Sequence, residues 1–523
     1  MKKLVSVLLC LMLLLGLTGL GGALASENSA LFSDKEFRAA MTATPQSLDE
    51  GYSTNAHTRQ VSSYIFETLF TFGENFEVIP QLADEYTLAE DGLSAVLTLR
   101  KGVTFHDGSD FTAEDVIASI ERYKTTMQYG SSLDAITAID AASDYELHFT
   151  FSATIGLPPL LAFPQRVLML PKEVAERNMS TELKGNDIIG TGPYMLAEWM
   201  PDVHVKLSRF EDYAMDDRYD TSSGLGGKRI PYFKTIYLLP VTESESRMAG
   251  LETGEFDYAE AIPNTSYDRI VENSELSASV VKPKWSVAVE LNHTNFPTND
   301  VNFRKALVYA LDMEKVLKAV TTDNPEFYRL DPSIYTPEQF YNTDAGSEDI
   351  YNKLDLDKVK ELLAAANYNG EEVVYLVNRD FDFMYKACLS LAEQWQAAGI
   401  NVRLEFSDWA TQISKAQSME GWNMNQTGLS ARLDPTQLNS LLNVNSAGAY
   451  GFNNAKAMEL LTEIAMGQPE EARKVIWEQL QTIIWEDVAF IKVGDYFELE
   501  AIRSQYEGFK SFYLQRFWNV MEK

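Results

Sequence analysis

Apolar residues recur along the chain with two periods that alternate from one segment to the next. A spacing of three and four residues is typical of helices, and alternation at every second residue is typical of strands. The helical segments are 61–72, 113–124, 244–251, 300–311, 357–366, 384–398, 455–465 and 471–485. The strand segments are 37–41, 96–105, 194–199, 203–209, 256–258, 373–377 and 402–406. Strands and helices that alternate in this way predict an α/β fold.

Residues at the ends of several segments support these predictions. Thr112 and Asp115 have the spacing of a capping box at the start of a helix. Asp300 is a suitable N-cap because its carboxylate can accept from free amides of the first helical turn. Gly254 follows a helical segment where a left-handed residue often ends a helix.

The first 25 residues have the order of a secretory signal peptide. Lys2 and Lys3 precede an apolar stretch over 4–20, and the small-residue site Ala23-Leu24-Ala25 follows it. A membrane anchor is the alternative, because the stretch approaches the roughly 17–25 residues that span a bilayer. No positively charged flank follows, which favours cleavage. Removal of 25 of the 523 residues leaves a mature chain of 498 residues that we expect to be exported and soluble on the periplasmic or outer face of the cell envelope.

Composition and charge exclude several classes of protein. The chain exceeds one ordinary domain of about 100–200 residues. Its 76 acidic and 44 basic residues give a net charge of −32, which would repel the phosphates of nucleic acid. Of the two cysteines, Cys10 lies in the apolar leader and Cys388 has helical spacing among apolar residues, so no disulfide framework is possible.

Signatures of catalysis and of metal binding are absent from the sequence. The five histidines are scattered without the i, i+4 pair of a zinc helix, and neither a G-x-S-x-G elbow nor a phosphate-binding loop occurs. We therefore predict no metal and no cofactor. Pairs of carboxylates for glycoside cleavage stay open, because 76 acidic residues make chance pairs unavoidable. A secreted glycoside or peptide hydrolase is thus the rival class.

The stretch LRKGVTFHDG over 99–108, followed by FTAEDV over 111–116, resembles the signature of family 5 extracellular solute-binding proteins. Further segments fall in the order found in that family: 47–49, 190–194, 251–257, 304–312, 357–368, 408–409 and 434–435. The resemblance runs from about residue 34 to the C-terminus. Within it, His106 and Asp107 are identified with scaffold positions of the family and not with a reactive pair.

The resemblance implies a two-lobed periplasmic-binding-protein clamshell of the large three-domain type. Such proteins enclose peptides, nickel complexes, opines or oligosaccharides and deliver them to an ABC permease and its ATPase. We expect a monomer whose domains exchange chain. The expected division is a lobe I core from 26–57, 188–265 and 488–523, an extra domain of lobe I over 58–187, and lobe II over 266–487.

The resemblance also suggests which residues contact ligand. Peptide-binding relatives hold the ligand's α-amino group with an aspartate of lobe II, but here that position is Ala431 or Arg432, depending on the direction of counting. Arg432 favours a carboxylate or phosphate, and the alternative is a simple pair with Asp434. Arg379 matches an arginine that holds the ligand carboxylate, with a solvated side chain as its alternative.

Trp409 matches a tryptophan of the pocket wall, and packing in the core is the alternative. Gln426 matches a contact position but could face water. The other expected contacts are Thr54, Asn55, Tyr129 and Ser430. For Tyr129, packing in a turn is the stronger alternative.

These residues predict a receptor that delivers a small organic solute with at least one anionic group to an ABC permease. Peptides remain possible if their amino end is met elsewhere, for example by Glu260. A third possibility is an extracellular sensor or chaperone without a transport partner.

Overall fold

The computed structural model describes residues 32–53, 55–126, 133–162, 167–321, 323–466 and 469–523. The predicted signal peptide therefore lies outside the described residues. The strands are β1 Glu36–Met41, β2 Phe70–Phe72, β3 Val78–Pro80, β4 Ala83–Leu88, β5 Ser94–Leu99, β6 Ile136–Ser143, β7 Glu146–Phe151, β8 Tyr194–Met200, β9 His204–Arg209, β10 Ser222–Ser223, β11 Gly226–Gly227, β12 Thr235–Pro240, β13 Tyr258–Ile262, β14 Leu276–Leu291, β15 Tyr328–Arg329, β16 Val373–Val377, β17 Val402–Phe406, β18 Met424–Ser430, β19 Phe490–Arg503, β20 Tyr506–Glu507 and β21 Met521–Glu522.

The helices alternate with these strands along the chain. They are α1 Ala56–Ile65, α2 Ala113–Thr126, α3 Leu157–Leu161, α4 Lys172–Arg177, α5 Ser244–Thr253, α6 Tyr267–Val271, α7 Val301–Tyr309, α8 Met313–Thr321, α9 Leu356–Ala365, α10 Asp382–Ala397, α11 Trp409–Ser418, α12 Asn439–Leu442, α13 Ala455–Ile464 and α14 Glu470–Asp487. The mixed α/β class predicted from the periodicity is confirmed.

One sheet runs through the whole molecule. Its strands are hydrogen-bonded in the order β17-β16-β18-β14-β19-β13-β1-β12-β9-β8, and β15 also pairs with β19. The strands from β13 to β8 lie in the segments expected to form lobe I, and the strands from β17 to β18 lie in the segment expected to form lobe II. A separate four-stranded sheet, β4-β5-β7-β6, lies in the segment that was expected to form the extra domain.

The long strands β14 and β19 connect the two halves. They pair antiparallel along most of their length, but the register shifts between Val281 and Trp285. A second shift lies between Val287 and Ala288. We call the stretch around the first shift, where strands of the two halves meet β14 and β19, the hinge. Each half has its own apolar core, represented by Phe37 and Ile236 in lobe I and by Val289 in lobe II. Two cores joined by two strands make a two-lobed molecule.

The lobes also touch away from the hinge. Leu433 belongs to lobe II by its place in the chain, yet it packs in the apolar core of lobe I. The amide of Gly156, after the extra sheet, donates to the carbonyl of Ala465 at the end of α13 over 3.3 Å. The strands β14 and β19 are therefore not the only connection between the two halves among the described residues.

Local signals placed most elements correctly. Asp300 caps α7 by accepting from the amide of Asn302 at 2.7 Å, and Gly254 ends α5 with a φ of 77°. The prediction of one helix over 61–72 was wrong: α1 ends at Ile65, and β2 begins at Phe70. Because this apolar run is buried on all sides, its pattern could not distinguish a helix from a strand. The exact domain bounds remain a prediction.

Candidate ligand-binding site

The carboxyl ends of three parallel strands in lobe II lie at one edge of the sheet. β16 is parallel both to β17, with Val377 opposite Phe406, and to β18, with Leu376 opposite Asn425. Ligands of open α/β sheets usually bind outside the carboxyl ends of such strands. Four residues expected to contact ligand lie at the ends of these three strands or just after them: Arg379, Trp409, Ser430 and Arg432.

Lobe I presents a matching edge to the hinge. β1 is parallel to β12 and β13. Ile262 at the end of β13 pairs with Leu499 of β19. From the other side, Ser430 at the end of β18 pairs with Trp285, which in turn pairs with Tyr496 of β19. The strand ends of both lobes therefore meet the same short stretch of β19, and the space between them is the candidate site.

Arg379 is exposed at the lobe II edge. Its guanidinium lies 4.8 Å from the ring centre of Phe406 and 5.6 Å from that of Tyr385. Among the described residues no carboxylate forms an ion pair with it. In a protein with a net charge of −32, a cation held on two rings without a carboxylate can offer its donors to an anion.

Trp409 is half-buried and begins α11. Its main-chain amide donates to Oδ2 of Asp380 at 2.7 Å, which ties the end of β17 to the end of β16. Its indole meets Phe381 edge to face at 5.5 Å and packs partly against the core of lobe II. The side chain thus combines core packing with partial exposure.

Arg432 lies two residues beyond β18. Its carbonyl accepts from the amide of Gln339, and its charge lowers the pKa of Glu290, although burial raises that pKa to about 7. The pair with Asp434 considered from the sequence is not the one that forms: Asp434 accepts from Arg473 at 2.6 Å. Asp434 also caps the next turn through the amide of Thr436, so its role is structural.

Two other expected contacts have structural partners. Gln426 has no exposed surface, accepts from the hydroxyl of Tyr375 and donates to the carbonyl of Ala288 at 3.2 Å. Asn55 is exposed and caps α1 by accepting from the amide of His57 at 2.8 Å. Thr54 and Tyr129 lie outside the described residues.

The lobe I edge contains a polar cluster that sequence reasoning did not assemble. Oε1 of Glu260 accepts from the amide of Thr42 at 2.5 Å and from its hydroxyl at 2.9 Å. Nε2 of His57 lies 3.5 Å from the same oxygen. Glu260 had been named only as one possible partner for an amine. The members are too far apart in sequence for any local pattern to join them.

The electrostatics of this cluster favour an ionised carboxylate. Burial alone would raise the pKa of Glu260, but the hydrogen bond and charge of His57, the charge of Lys284 and the amide of Thr42 together lower it to about 2. Glu260 is only 7% exposed. A buried carboxylate in this state carries a full negative charge at neutral pH.

Two structural absences hold for the described ranges. Their His, Cys, Asp and Glu side chains nowhere gather in a group of three that could hold a metal ion. Within the same ranges, every helix is too short or too polar to cross a membrane.

Two α/β lobes that meet at a hinge, with polar and charged side chains on both facing edges, define the class of two-lobed solute-binding proteins. The family model described as bacterial extracellular solute-binding proteins, family 5 Middle, matches residues 77–463. The chain belongs to this family, as its motifs suggested.

Relatives of similar length match almost the whole chain. A probable peptide ABC transporter periplasmic-binding protein of Sinorhizobium fredii is 24% identical over 519 residues, covering 96% of each chain. A glutathione-binding protein of Salmonella choleraesuis is 25% identical over 509 residues, covering 91% of this chain and 92% of the relative. Members of this kind bind solutes and are not enzymes, and the hydrolase alternative finds no support.

Solved structures confirm the fold. NikA from Brucella suis, in complex with Fe(III)-EDTA, matches with a TM-score of 0.81 and 17% identity over 94% of this chain and 100% of that one. DppA from Helicobacter pylori, in complex with the peptide STSA, matches with a TM-score of 0.78 and 20% identity over 95% and 100%. At this identity the likeness establishes the fold and not the ligand.

Proposed function

We propose that the protein is the exported solute-binding component of an ABC importer, which captures a small peptide or peptide-like anionic solute between its lobes and delivers it to a membrane permease. The observation that carries this proposal is the meeting of the strand ends of both lobes at the hinge, with Arg379 exposed there and without a carboxylate partner. The family and the names of the relatives support the transport role.

The anionic character of the ligand follows from charge. A net charge of −32 repels anions at long range, so an anionic ligand needs local cations. Arg379 and Arg432 provide two guanidinium groups after neighbouring strands of lobe II. A charge-assisted hydrogen bond contributes about 1.5–3 kcal/mol when water is excluded.

The proposed contact surface of lobe II is formed by Arg379, Trp409, Ser430 and Arg432. Gln426 lies beneath it and holds β18 in place through Tyr375 and Ala288. On lobe I we propose contacts from Thr54, Asn55 and Tyr129. Binding closes the lobes, and the closed form is what a membrane partner can distinguish.

The same proposal covers the finer points of organisation. The signal peptide over 1–25 is removed, the mature protein acts as a monomer outside the cytoplasm, and it performs no chemistry on its ligand. Lobe I consists of 26–57, 188–265 and 488–523 with the extra domain over 58–187, and lobe II spans 266–487.

The test is to purify the mature chain, denature it and identify any released ligand by mass spectrometry. A thermal-shift screen of short peptides, opines and organic acids accompanies it, with the amidated form of each acid as its neutral match. Stabilisation by acids but not by their amides is expected. Turnover of any compound, or equal stabilisation by acids and amides, would contradict the proposal.

A further inference from the structure

Glu260 lies where the ligand space meets lobe I. It is the third residue of β13, two residues before the strand end that pairs with Leu499 near the hinge. Thr42, which follows the last residue of β1, and His57, in the first turn of α1, hold it from two sides. Three elements thus fix the position of the carboxylate: β13, which carries Glu260, the end of β1 and the first turn of α1.

Only one oxygen of this carboxylate is used inside the protein. Oε1 accepts from the amide and hydroxyl of Thr42 and faces His57. Among the described residues no hydrogen bond reaches Oε2, and this atom is not one of the fully buried side-chain oxygens that lack a partner. Oε2 therefore keeps some accessible surface, so a donor group of a ligand can reach it.

The neighbouring cations are committed elsewhere. Arg247 donates to main-chain carbonyls, including that of Glu260 at 2.8 Å and that of Ala261 at 2.6 Å. The ammonium of Lys284 lies 3.4 Å from the carboxylate of Glu498. Neither side chain donates to Oε2, so this oxygen can accept from a ligand.

Glu260 also lies close to the lobe II contact segment. The amide of Ala431, the residue before Arg432, donates to the carbonyl of Lys284 at 3.4 Å. Lys284 is in turn near enough to Glu260 for its charge to act on that carboxylate. The main chain of the lobe II contact segment therefore touches the hinge strand that also carries Lys284.

We propose that Oε2 of Glu260 binds an ammonium group of the ligand, so that the ligand is a zwitterion held with its amino end on lobe I and its anionic end on lobe II. This inference rests on the proposed function and narrows it to peptides and amino-acid derivatives with a free amine.

The first test needs no variant. A panel of di- to tetrapeptides is compared with the same peptides after N-acetylation, by thermal shift and then by titration calorimetry with the full mature chain. Acetylation removes the positive charge and leaves the carboxyl end intact. We expect acetylation to weaken binding about tenfold or more, as for the loss of a charge-assisted bond.

The second test removes the charge from the protein and leaves the ligand unchanged. E260Q keeps the shape and the hydrogen bonds from Thr42 but removes the charge, and E245Q, at an exposed carboxylate in the first turn of α5, is the matched control. We expect E260Q to bind free peptides about tenfold or more weakly and acetylated peptides as the parent does, with E245Q unchanged. Circular dichroism confirms that each variant is folded.

The outcomes separate the two proposals. If the parent binds acetylated and free peptides equally, or if it binds only acids that lack an amine, Glu260 is not an ammonium site and the importer proposal stands. If no peptide, opine or organic acid binds the parent, the proposed function itself fails and the inference fails with it.

Discussion

Replacement of Arg379 by glutamine tests the anionic ligand most directly. The side chain is exposed and rests on Phe406 and Tyr385, and an exposed cation–π contact contributes about 0.5–1 kcal/mol. The free energy of unfolding should therefore fall by about 1 kcal/mol or less. A charge-assisted bond to the ligand contributes about 1.5–3 kcal/mol, which corresponds to a roughly 10- to 150-fold rise in Kd. The upper end of that range requires that the closed cleft exclude water.

The assay is titration calorimetry with the ligand from the denatured protein, together with chemical denaturation of each variant. Arg403→Gln is the matched control because Arg403 lies on the neighbouring strand β17 and the substitution makes the same change of net charge. Arg403 is already paired, with Glu372 at 2.7 Å and with Glu405 at 3.0 Å. We expect Arg403→Gln to leave Kd unchanged at 0.15 M salt, where charges beyond about 8 Å are screened.

Two results would refute this reasoning. Unchanged Kd in Arg379→Gln would show that the guanidinium does not touch the ligand. Equal weakening in Arg379→Gln and Arg403→Gln would show a general effect of net charge and not a contact. A loss of stability much greater than 1 kcal/mol would instead assign Arg379 a structural role.

Three further predictions concern stability. Arg473→Met leaves the carboxylate of Asp434 buried without its ion pair and should cost about 3–5 kcal/mol in chemical denaturation; a loss below 1 kcal/mol would contradict the pairing. Burial raises the pKa of Glu290 from 4.5 to about 7, so its contribution to stability is present below pH 4.5 and is lost as pH rises through 7. In Glu290→Gln the melting temperature should therefore depend less on pH between pH 4.5 and 8 than it does in the parent. An unchanged dependence on pH would show that Glu290 does not cause it. In Gly190→Ala the new Cβ would lie 2.1 Å from the carbonyl oxygen of Ile65. The melting temperature should therefore fall by several degrees. An unchanged melting temperature would show that the backbone can shift to remove this clash without loss of stability.

Short-range pattern was sufficient for most of the secondary structure. The strands over 373–377 and 402–406 were predicted with their exact ends, because apolar alternation and the turns beside them are local properties. The caps at Asp300 and Gly254 are local for the same reason. The error over 61–72 came from a run that is buried on every side, where periodicity carries no information.

The candidate site was only partly accessible from the sequence. Arg379 and Trp409 follow β16 and β17, and Ser430 is the last residue of β18, so the family motifs place these three predicted contacts at the ends of consecutive strands. The topology then shows why they belong together: β16, β17 and β18 run parallel and end at one edge. The full burial of Gln426 could not be foreseen, because its partners Tyr375 and Ala288 lie on other strands.

The sequence by itself determined the fold class, the family, the negative charge and the positions of most helices and strands, since all of these depend on residue types and local spacing. Only the tertiary structure decided which polar and charged side chains meet. Glu260 and Thr42 are 218 positions apart, and Arg473 and Asp434 are 39 apart. The sheet order brings such residues together, because β1 pairs with strands that begin about 200 residues later in the chain. Burial then makes those few partners, and not the overall charge of −32, decide the ionisation of each group.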